Sequence, residues 1–251
     1  MKRKALIAGN WKMHMTAAEA AALAAQVAEA ASGATDRDVL VAPPFTALEA
    51  VTQALAGSEV MVAGQNVCWE EKGAFTGEIS PVMLADLGAS AAIVGHSERR
   101  QIFGENDVLI NRRVTGALRF NLSVVLCVGE TLEEREAGKT FAVLEEQIRG
   151  GLEDVTVEQM ARVVVAYEPV WAIGTGKTAS TQQAQEAHAF LRKLIGQLYE
   201  KDLAAQVRIL YGGSVKPANV DELMAQSDID GALVGGAALD SESFGRIINF
   251  K

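Results

Sequence analysis

Polar side chains that could carry out proton transfer follow several apolar runs of this sequence. A carboxylate can accept a proton, an imidazole can donate a hydrogen bond to a substrate oxygen, and an ammonium group can neutralise developing negative charge. Taken singly, such side chains are more often solvated or structural. Their shared placement after apolar runs is what indicates a site. The side chains concerned are Asn10, Lys12, His96, Glu98 and Glu168.

The segment EPVWAIGTGKT at 168–178 ends like a nucleotide-binding P-loop but lacks the P-loop spacing. A P-loop needs a glycine five residues before the glycine that precedes the lysine, because this spacing wraps backbone N–H groups around successive phosphates. Counting back from Gly176, that position holds Trp171. The sequence therefore argues against a nucleotide site here.

Eight short apolar runs recur along the chain, with longer amphipathic segments between them. They are continuous and not alternating, as is typical of parallel strands that are buried on both faces. Capping-box spacings, in which Ser or Thr precedes Glu or Gln by three residues, predict helix starts at Thr16, Thr131 and Ser180. The pattern predicts an α/β fold, a closed (β/α)8 barrel forming a single domain over 1–251, whose chemistry gathers at the carboxyl ends of the strands. The runs are KALIAGN, DVLVAP, VMVAGQN, AAIVGHS, LSVVLCVGE, RVVVAYEP, VRILYGG and DGALVGG.

Composition excludes several classes of partner. The net charge of −9 and the pI near 5.0 argue against nucleic acid and anionic membranes, because both require a basic face. The apolar run at 5–8 is too short for a signal-peptide core. Cys68 and Cys127 lack the spacing of a disulfide framework or metal site, and His96 with Glu98 does not complete a metal-binding set. We therefore predict a cytoplasmic protein that has reduced thiols and binds no metal.

Six segments in register give the chain a resemblance to a known family. The segments, which run from near the first residue to near the last, are NWKMH, GHSERR, CVGE, AYEPVWAIGTGK, YGGSV and LVGG. On these motifs the sequence resembles the triosephosphate isomerase family. The resemblance implies a TIM-barrel isomerase of glycolysis and gluconeogenesis that needs no cofactor. It would interconvert dihydroxyacetone phosphate and D-glyceraldehyde 3-phosphate by proton transfer through an enediol(ate) intermediate.

The resemblance assigns three catalytic residues. Glu168 would be the base, and the apolar residues that follow it would desolvate the carboxylate and raise its basicity when the lid closes. His96 would polarise the substrate oxygens as a neutral imidazole, the state described for this family. A predicted helix at 97–103 would support that state, because its positive N-terminal end disfavours a protonated ring. Lys12 would neutralise the charge of the enediolate and the phosphate.

Three further residues would support this machinery. Asn10 would hydrogen-bond the substrate or hold Lys12, and Glu98 would pair with Lys12 and keep it placed. Cys127 matches a family position near the base, although a buried packing thiol explains it nearly as well. His14 and His188 are interpreted as structural.

The resemblance also implies a phosphate site and a closing lid. Backbone N–H groups of Gly174, Ser214, Gly235 and Gly236 would bind the dianion at the usual phosphate position of a barrel. Closure would exclude water and suppress loss of phosphate from the intermediate. The lid residues are Pro169, Val170, Trp171, Ala172, Ile173, Gly174, Thr175, Gly176 and Lys177.

One connection, from Gln65 to Pro81, is long for a compact domain and is therefore expected to be functional. The resemblance implies a homodimer in which Thr76 of this loop lies beside the partner's active site, and Met15 is covered by the loop. Arg99 and Glu105 could brace the interface or be solvated.

Two other classes of function are alternatives to this isomerase. Phosphosugar epimerases and indole-pathway synthases on the same barrel would share the phosphate site but lack the combination of Lys12, His96 and Glu168. A non-catalytic interaction protein would be expected to have lost at least one of these three.

Overall fold

The computed structural model describes residues 3–173 and 178–251, and within them eight parallel strands close into a barrel. Each strand pairs with the next along the chain, and β1 also pairs with β8, where Leu6 lies opposite Gly231. The predicted (β/α)8 barrel is confirmed. The strands are β1 (Ala5–Asn10), β2 (Arg37–Ala42), β3 (Met61–Gly64), β4 (Ala91–Val94), β5 (Ser123–Val128), β6 (Val163–Tyr167), β7 (Ile209–Tyr211) and β8 (Gly231–Val234).

Helices surround this barrel. All three predicted capping boxes are present, and a fourth, not predicted, joins Thr156 and Gln159. Short 3-10 turns occur at Phe45–Ala47, Val170–Ala172 and Gly236–Leu239. The helices are α1 (Ala17–Ala31), α2 (Leu48–Ala54), α3 (Pro81–Asp86), α4 (Ser97–Phe103), α5 (Asp107–Arg119), α6 (Leu132–Glu136), α7 (Thr140–Gly151), α8 (Val157–Met160), α9 (Thr181–Leu198), α10 (Lys201–Ala204), α11 (Val220–Met224) and α12 (Ser241–Ile248).

Two apolar layers bury both faces of every strand. On β1, Leu6 and Ala8 belong to the barrel interior, whereas Ile7 belongs to the layer between the strands and the helices. Successive residues of a strand point to opposite faces, so this burial explains why the runs are continuously apolar. Within the described residues, no helix combines the length and apolar character needed to span a bilayer.

The amino-terminal ends of the strands carry structural ion pairs. Arg192 of α9 donates to Asp228 and Asp230 at 2.6 Å each, and it also donates to the carbonyl oxygens of Ala204 and Val207. Charged residues therefore form structural ion pairs at this end of the barrel, whereas a cavity lies at the opposite, carboxyl end.

Candidate active site

A cavity of about 410 Å³ lies at the carboxyl ends of the strands. Predicted residues from the loops after β1, β4, β6, β7 and β8 all line it: Asn10, Lys12, His96, Glu168, Ile173, Ser214, Gly235 and Gly236. His14 and Lys216 also border the cavity, although the sequence analysis gave His14 a structural role and did not consider Lys216. Four proposed lid residues lie outside the described part of the chain: Gly174, Thr175, Gly176 and Lys177.

Lys12 is held at the cavity in an unusual backbone conformation. Its φ of 51° lies in the left-handed region, which residues other than glycine rarely adopt. Asn10 Oδ1 accepts its backbone N–H at 3.0 Å, and Gln65 Nε2 donates to its carbonyl oxygen at 2.7 Å. Its Nζ donates to Glu98 Oε1 at 2.7 Å. Both ends of Lys12 are therefore fixed, and strain of this kind persists only where surrounding contacts impose it.

His96 is the N-cap residue of α4. Its Nδ1 accepts a hydrogen bond from the backbone N–H of Glu98 at 3.2 Å. An accepting ring nitrogen carries no proton, so this bond places the proton of a neutral imidazole on Nε2. Nε2 lies 2.9 Å from Glu168 Oε1, to which it donates. The cap geometry thus orients one N–H group of the ring into the cavity.

Glu168 follows β6, is buried, and is held by two consecutive residues at the start of α4. Besides the contact with His96, its Oε2 accepts a hydrogen bond from the backbone N–H of Ser97 at 2.9 Å. Ser97 is the first residue of α4, where unpaired N–H groups favour a negative charge. The carboxylate is therefore bound as an anion at the start of this helix.

The pKa shifts of these two residues follow from their mutual contact. Burial lowers the pKa of His96, but the carboxylates of Glu168 and Glu98 raise it more. Burial raises the pKa of Glu168, but His96, the Ser97 N–H and Lys12 lower it more. In this arrangement the hydrogen bonds and charges that favour the ionised form outweigh burial, so the pKa of Glu168 is lowered. The expectation that closure of the lid raises the basicity of Glu168 stays a prediction. For His96, the two carboxylates oppose the effect of the helix terminus.

Two glycines that the sequence analysis did not assign to the base leave the space in which Glu168 sits. A β-carbon at Gly129 would lie 1.7 Å from the carbonyl oxygen of Glu168, and one at Gly212 would lie 2.8 Å from its Cγ. Real β-carbons do not approach other atoms so closely. The position of the base therefore depends on two residues without side chains, which the CVGE and YGGSV motifs contain.

Cys127 is fully buried in the barrel interior, beside the base. Burial, and then the negative charge of Glu168, raise the pKa of its thiol well above the ordinary value. The residue is therefore an uncharged thiol that packs near the base, and the structure gives it no route to act as a nucleophile.

The described part of the lid is anchored by a buried carboxylate, Glu130. Its Oε1 accepts hydrogen bonds from Tyr167 at 3.1 Å and Trp171 Nε1 at 3.0 Å, and Arg135 pairs with it at 3.0 Å. Its backbone oxygen accepts from Val170 N–H at 3.0 Å. Pro169 to Ile173 are therefore tied to the end of β5, a contact that the sequence analysis did not anticipate.

The loops after β7 and β8 form the other side of the cavity. Gly235 precedes the 3-10 turn at Gly236–Leu239, as the sequence analysis expected of a short helix. A β-carbon at Gly235 would lie 3.7 Å from Lys12 Nζ. The ammonium group and this glycine-rich turn are thus neighbours, which suits an anion placed between them.

The long loop is held against α5. Arg113 of α5 donates to the carbonyl oxygen of Val67 at 2.6 Å and pairs with Glu78 at 2.8 Å. Glu105 is buried between Arg113 and Arg99, with distances of 3.0 and 2.8 Å. Glu105 is therefore buried in ion pairs of its own chain and is not solvated, while its role in bracing an interface stays a prediction.

The two residues predicted to lie at a dimer interface differ in exposure. Thr76 is exposed near the tip of the long loop, whereas Met15 is partly buried against the core of its own chain. Met13, two residues earlier, exposes 93 % of its surface.

No group of three or more His, Cys, Asp or Glu residues within 3–173 and 178–251 is arranged to hold a metal ion.

Comparison with known proteins gives a consistent result. A family model described as Triosephosphate isomerase matches residues 5–251. Curated proteins named triosephosphate isomerase from Syntrophotalea carbinolica and Citrifermentans bemidjiense are each 58 % identical to this chain over 249 residues. One from Moorella thermoacetica is 54 % identical over 248 residues. Each alignment covers 99 % of this chain and 99 % of the relative.

Proposed function

Since this chain belongs to the triosephosphate isomerase family, we propose that it interconverts dihydroxyacetone phosphate and D-glyceraldehyde 3-phosphate by proton transfer at Glu168. The observation that carries this assignment is that Glu168, His96 and Lys12 line a single cavity together with the glycine-rich turns after β7 and β8. The enzyme acts in glycolysis and gluconeogenesis in the cytoplasm and uses neither metal nor organic cofactor.

Glu168 is the base in this mechanism. Its lowered pKa keeps it ionised at neutral pH, so a proton acceptor is present before the substrate arrives. It takes a proton from one substrate carbon and returns it to the neighbouring carbon, while the hydroxyl proton passes between the two substrate oxygens by way of His96 Nε2, so Glu168 and His96 both regain their starting protonation states over a cycle. To reach the substrate, the carboxylate has to leave Ser97 and His96, which together hold it in the described arrangement.

His96 and Lys12 stabilise the charge that develops on the substrate. When Glu168 turns away, the Nε2–H group of His96 is released to donate to the substrate oxygens. Lys12 places an ammonium group between those oxygens and the phosphate, beside Gly235. Preorganised donors of this kind usually provide the largest part of the stabilisation of an enediolate-like transition state.

Ser214, Gly235 and Gly236 bind the phosphate dianion through backbone N–H groups, with Gly174 added from the lid. Asn10 holds Lys12 in place by accepting a hydrogen bond from its backbone N–H group. Pro169 to Lys177 close over the bound intermediate and exclude water. The anchoring of the described lid residues on Glu130 supports the view that the amino-terminal part of the lid is a hinge.

The function is tested by a coupled assay on D-glyceraldehyde 3-phosphate. We expect the native protein to turn over without added metal or cofactor. We expect Glu168→Gln, which keeps the size of the side chain but cannot accept the proton, to lose several orders of magnitude in kcat. An inactive native protein would reject the proposed function, and an active Glu168→Gln variant would reassign the base.

The enzyme works as a homodimer in this proposal. Large apolar side chains from segments that follow β1, β3 and β4 are exposed, and exposed apolar surface often marks a protein–protein interface. We place Thr76 and Met13 at the interface, and Met15 behind them. The exposed side chains are Met13, Phe75, Val82, Met83, Ile102 and Phe103.

A further inference from the structure

The end of β5 runs beside the catalytic segment, residues 168–170, which carries the proposed base. Three consecutive residues make this contact, namely Val128, Gly129 and Glu130. Glu168 N–H donates to the Val128 carbonyl oxygen at 2.8 Å, and Val170 N–H donates to the Glu130 carbonyl oxygen at 3.0 Å. Successive residues of an extended segment direct their backbone groups to opposite sides. The peptide groups of Gly129, between the two, are therefore directed away from the catalytic segment.

One side chain satisfies both of those groups. Gln147 of α7 accepts the N–H of Gly129 through Oε1 at 2.8 Å and donates to its carbonyl oxygen through Nε2 at 3.2 Å. A primary amide matches this pair of groups because it carries a donor and an acceptor at a fixed separation. Gly129 is buried, so without Gln147 its peptide groups would lose these partners away from bulk water.

Gly129 has no freedom to move without moving the base. Its missing β-carbon would lie 1.7 Å from the carbonyl oxygen and 3.2 Å from the Cα of Glu168, so the two backbones are in direct contact. A displacement of Gly129 therefore passes to the backbone that carries the carboxylate. Small displacements of this kind matter, since misplacing a catalytic group by 1 Å can cost roughly a hundredfold in rate.

We propose that Gln147 is a positioning residue for the catalytic base, which it acts on by holding Gly129 against the backbone of Glu168. The inference rests on the proposed function. Among the described residues, neither Gln147 nor its hydrogen-bond partner Gly129 lines the cavity.

The test compares three variants with the native enzyme. Gln147→Leu removes the donor and the acceptor at nearly constant volume. Gln147→Asn keeps a neutral amide but shortens its reach by one methylene group, so it weakens both hydrogen bonds without adding charge. Gln182→Leu is the matched control, because Gln182 is exposed on α9 and its amide donates to the exposed Glu186.

We expect kcat to fall about tenfold in Gln147→Leu, less in Gln147→Asn, and not at all in Gln182→Leu. Inhibition by inorganic phosphate should stay within about twofold of native, because the loops after β7 and β8 are untouched. The acid limb of kcat/KM should move to higher pH, because looser contacts with Ser97 and His96 leave burial to dominate the Glu168 carboxyl. Thermal melting of each variant reports whether the loss of activity reflects unfolding.

The inference is overturned if Gln147→Leu keeps native kcat and its native acid limb, or if its loss of activity only follows a loss of folded protein. A Gln147→Leu chain that does not fold leaves Gln147→Asn to decide, by the same two readouts. If the native protein has no isomerase activity, the proposed function fails. Carbon-13 NMR titration of the Glu168 carboxyl in the native and variant proteins then still tests the positioning.

Discussion

At the residue scale, the structure holds the carboxylate of Glu168 in contacts that it has to leave before it can act as the proposed base. Both oxygens of Glu168 have partners, one from His96 and one from the first N–H of α4. These contacts lower the pKa of a carboxyl group that burial alone would raise. In the proposed mechanism Glu168 leaves the same contacts when substrate binds, so they would affect both the protonation of the base and the free energy needed to move it.

Removing the Ser97 N–H should therefore raise the pKa of Glu168. Ser97→Pro deletes this donor at the first position of a helix, where proline is well tolerated, and His96 already has the extended ψ of 142° that a residue before proline needs. Glu168 has to be ionised to act, and a higher pKa means that acid protonates it sooner. We predict that the acid limb of kcat/KM moves to higher pH in Ser97→Pro.

Ser97→Ala is the control for this experiment, since it keeps the backbone N–H and loses only the hydroxyl group. Equal acid limbs in Ser97→Pro and Ser97→Ala would show that the N–H does not set the pKa of Glu168.

At the element scale, hydrogen bonds join the first part of the lid, Pro169 to Ile173, to Glu130 just after β5. Val170 N–H and Trp171 Nε1 both bond to Glu130, and Arg135 lies 4.8 Å from the centre of the Trp171 ring. A hydrogen bond to a charged acceptor contributes about 1.5–3 kcal/mol. The described position of Val170–Ala172 is thus stabilised by a carboxylate that the sequence places next to a capping box.

We predict that Trp171→Phe loosens this turn. The substitution keeps an aromatic ring near Arg135 but removes the N–H donor to Glu130. Amide exchange of Val170 and Ala172, which both donate backbone hydrogen bonds, should become at least tenfold faster by mass spectrometry or NMR, as loss of about 1.5 kcal/mol implies. Trp69→Phe, in the long loop, should leave these two amides unchanged. Unchanged exchange in Trp171→Phe would show that the hydrogen bond from Trp171 to Glu130 does not stabilise this turn.

At the scale of the whole molecule, the two ends of the barrel carry different kinds of residues. The amino-terminal end carries paired charges such as Arg192 with Asp228 and Asp230, while the carboxyl end carries the cavity and exposed apolar side chains. The proposed homodimer would cover the exposed apolar side chains that follow β1, β3 and β4.

Ile102→Asp should weaken that association. Ile102 exposes 72 % of its surface, so the charge should be tolerated in the monomer, but burying it in an interface is costly. We predict that light scattering after size exclusion shows a shift from dimer to monomer, with lower specific activity at low protein concentration. Val157→Asp, 45 % exposed in α8 at the opposite end, is the control. A dimeric Ile102→Asp protein would move the interface elsewhere.

Several features were accessible from the sequence because they depend on near neighbours along the chain. Continuous apolar runs reflect burial on both faces of a strand, and capping boxes join residues only three positions apart. The barrel, three helix starts and the gathering of Lys12, His96 and Glu168 at strand ends follow from these patterns. The resemblance to the family then supplied the reaction.

Other features were decided only by tertiary structure, because they are contacts between residues far apart in the chain. The Ser97 N–H and His96 reach Glu168 from another strand end, and this reverses the pKa shift expected from burial. Gln147 reaches Gly129 from α7, and Gln65 reaches the carbonyl oxygen of Lys12. No local pattern encodes such pairs: their distances depend on how the closed barrel brings separate strand ends and helices together.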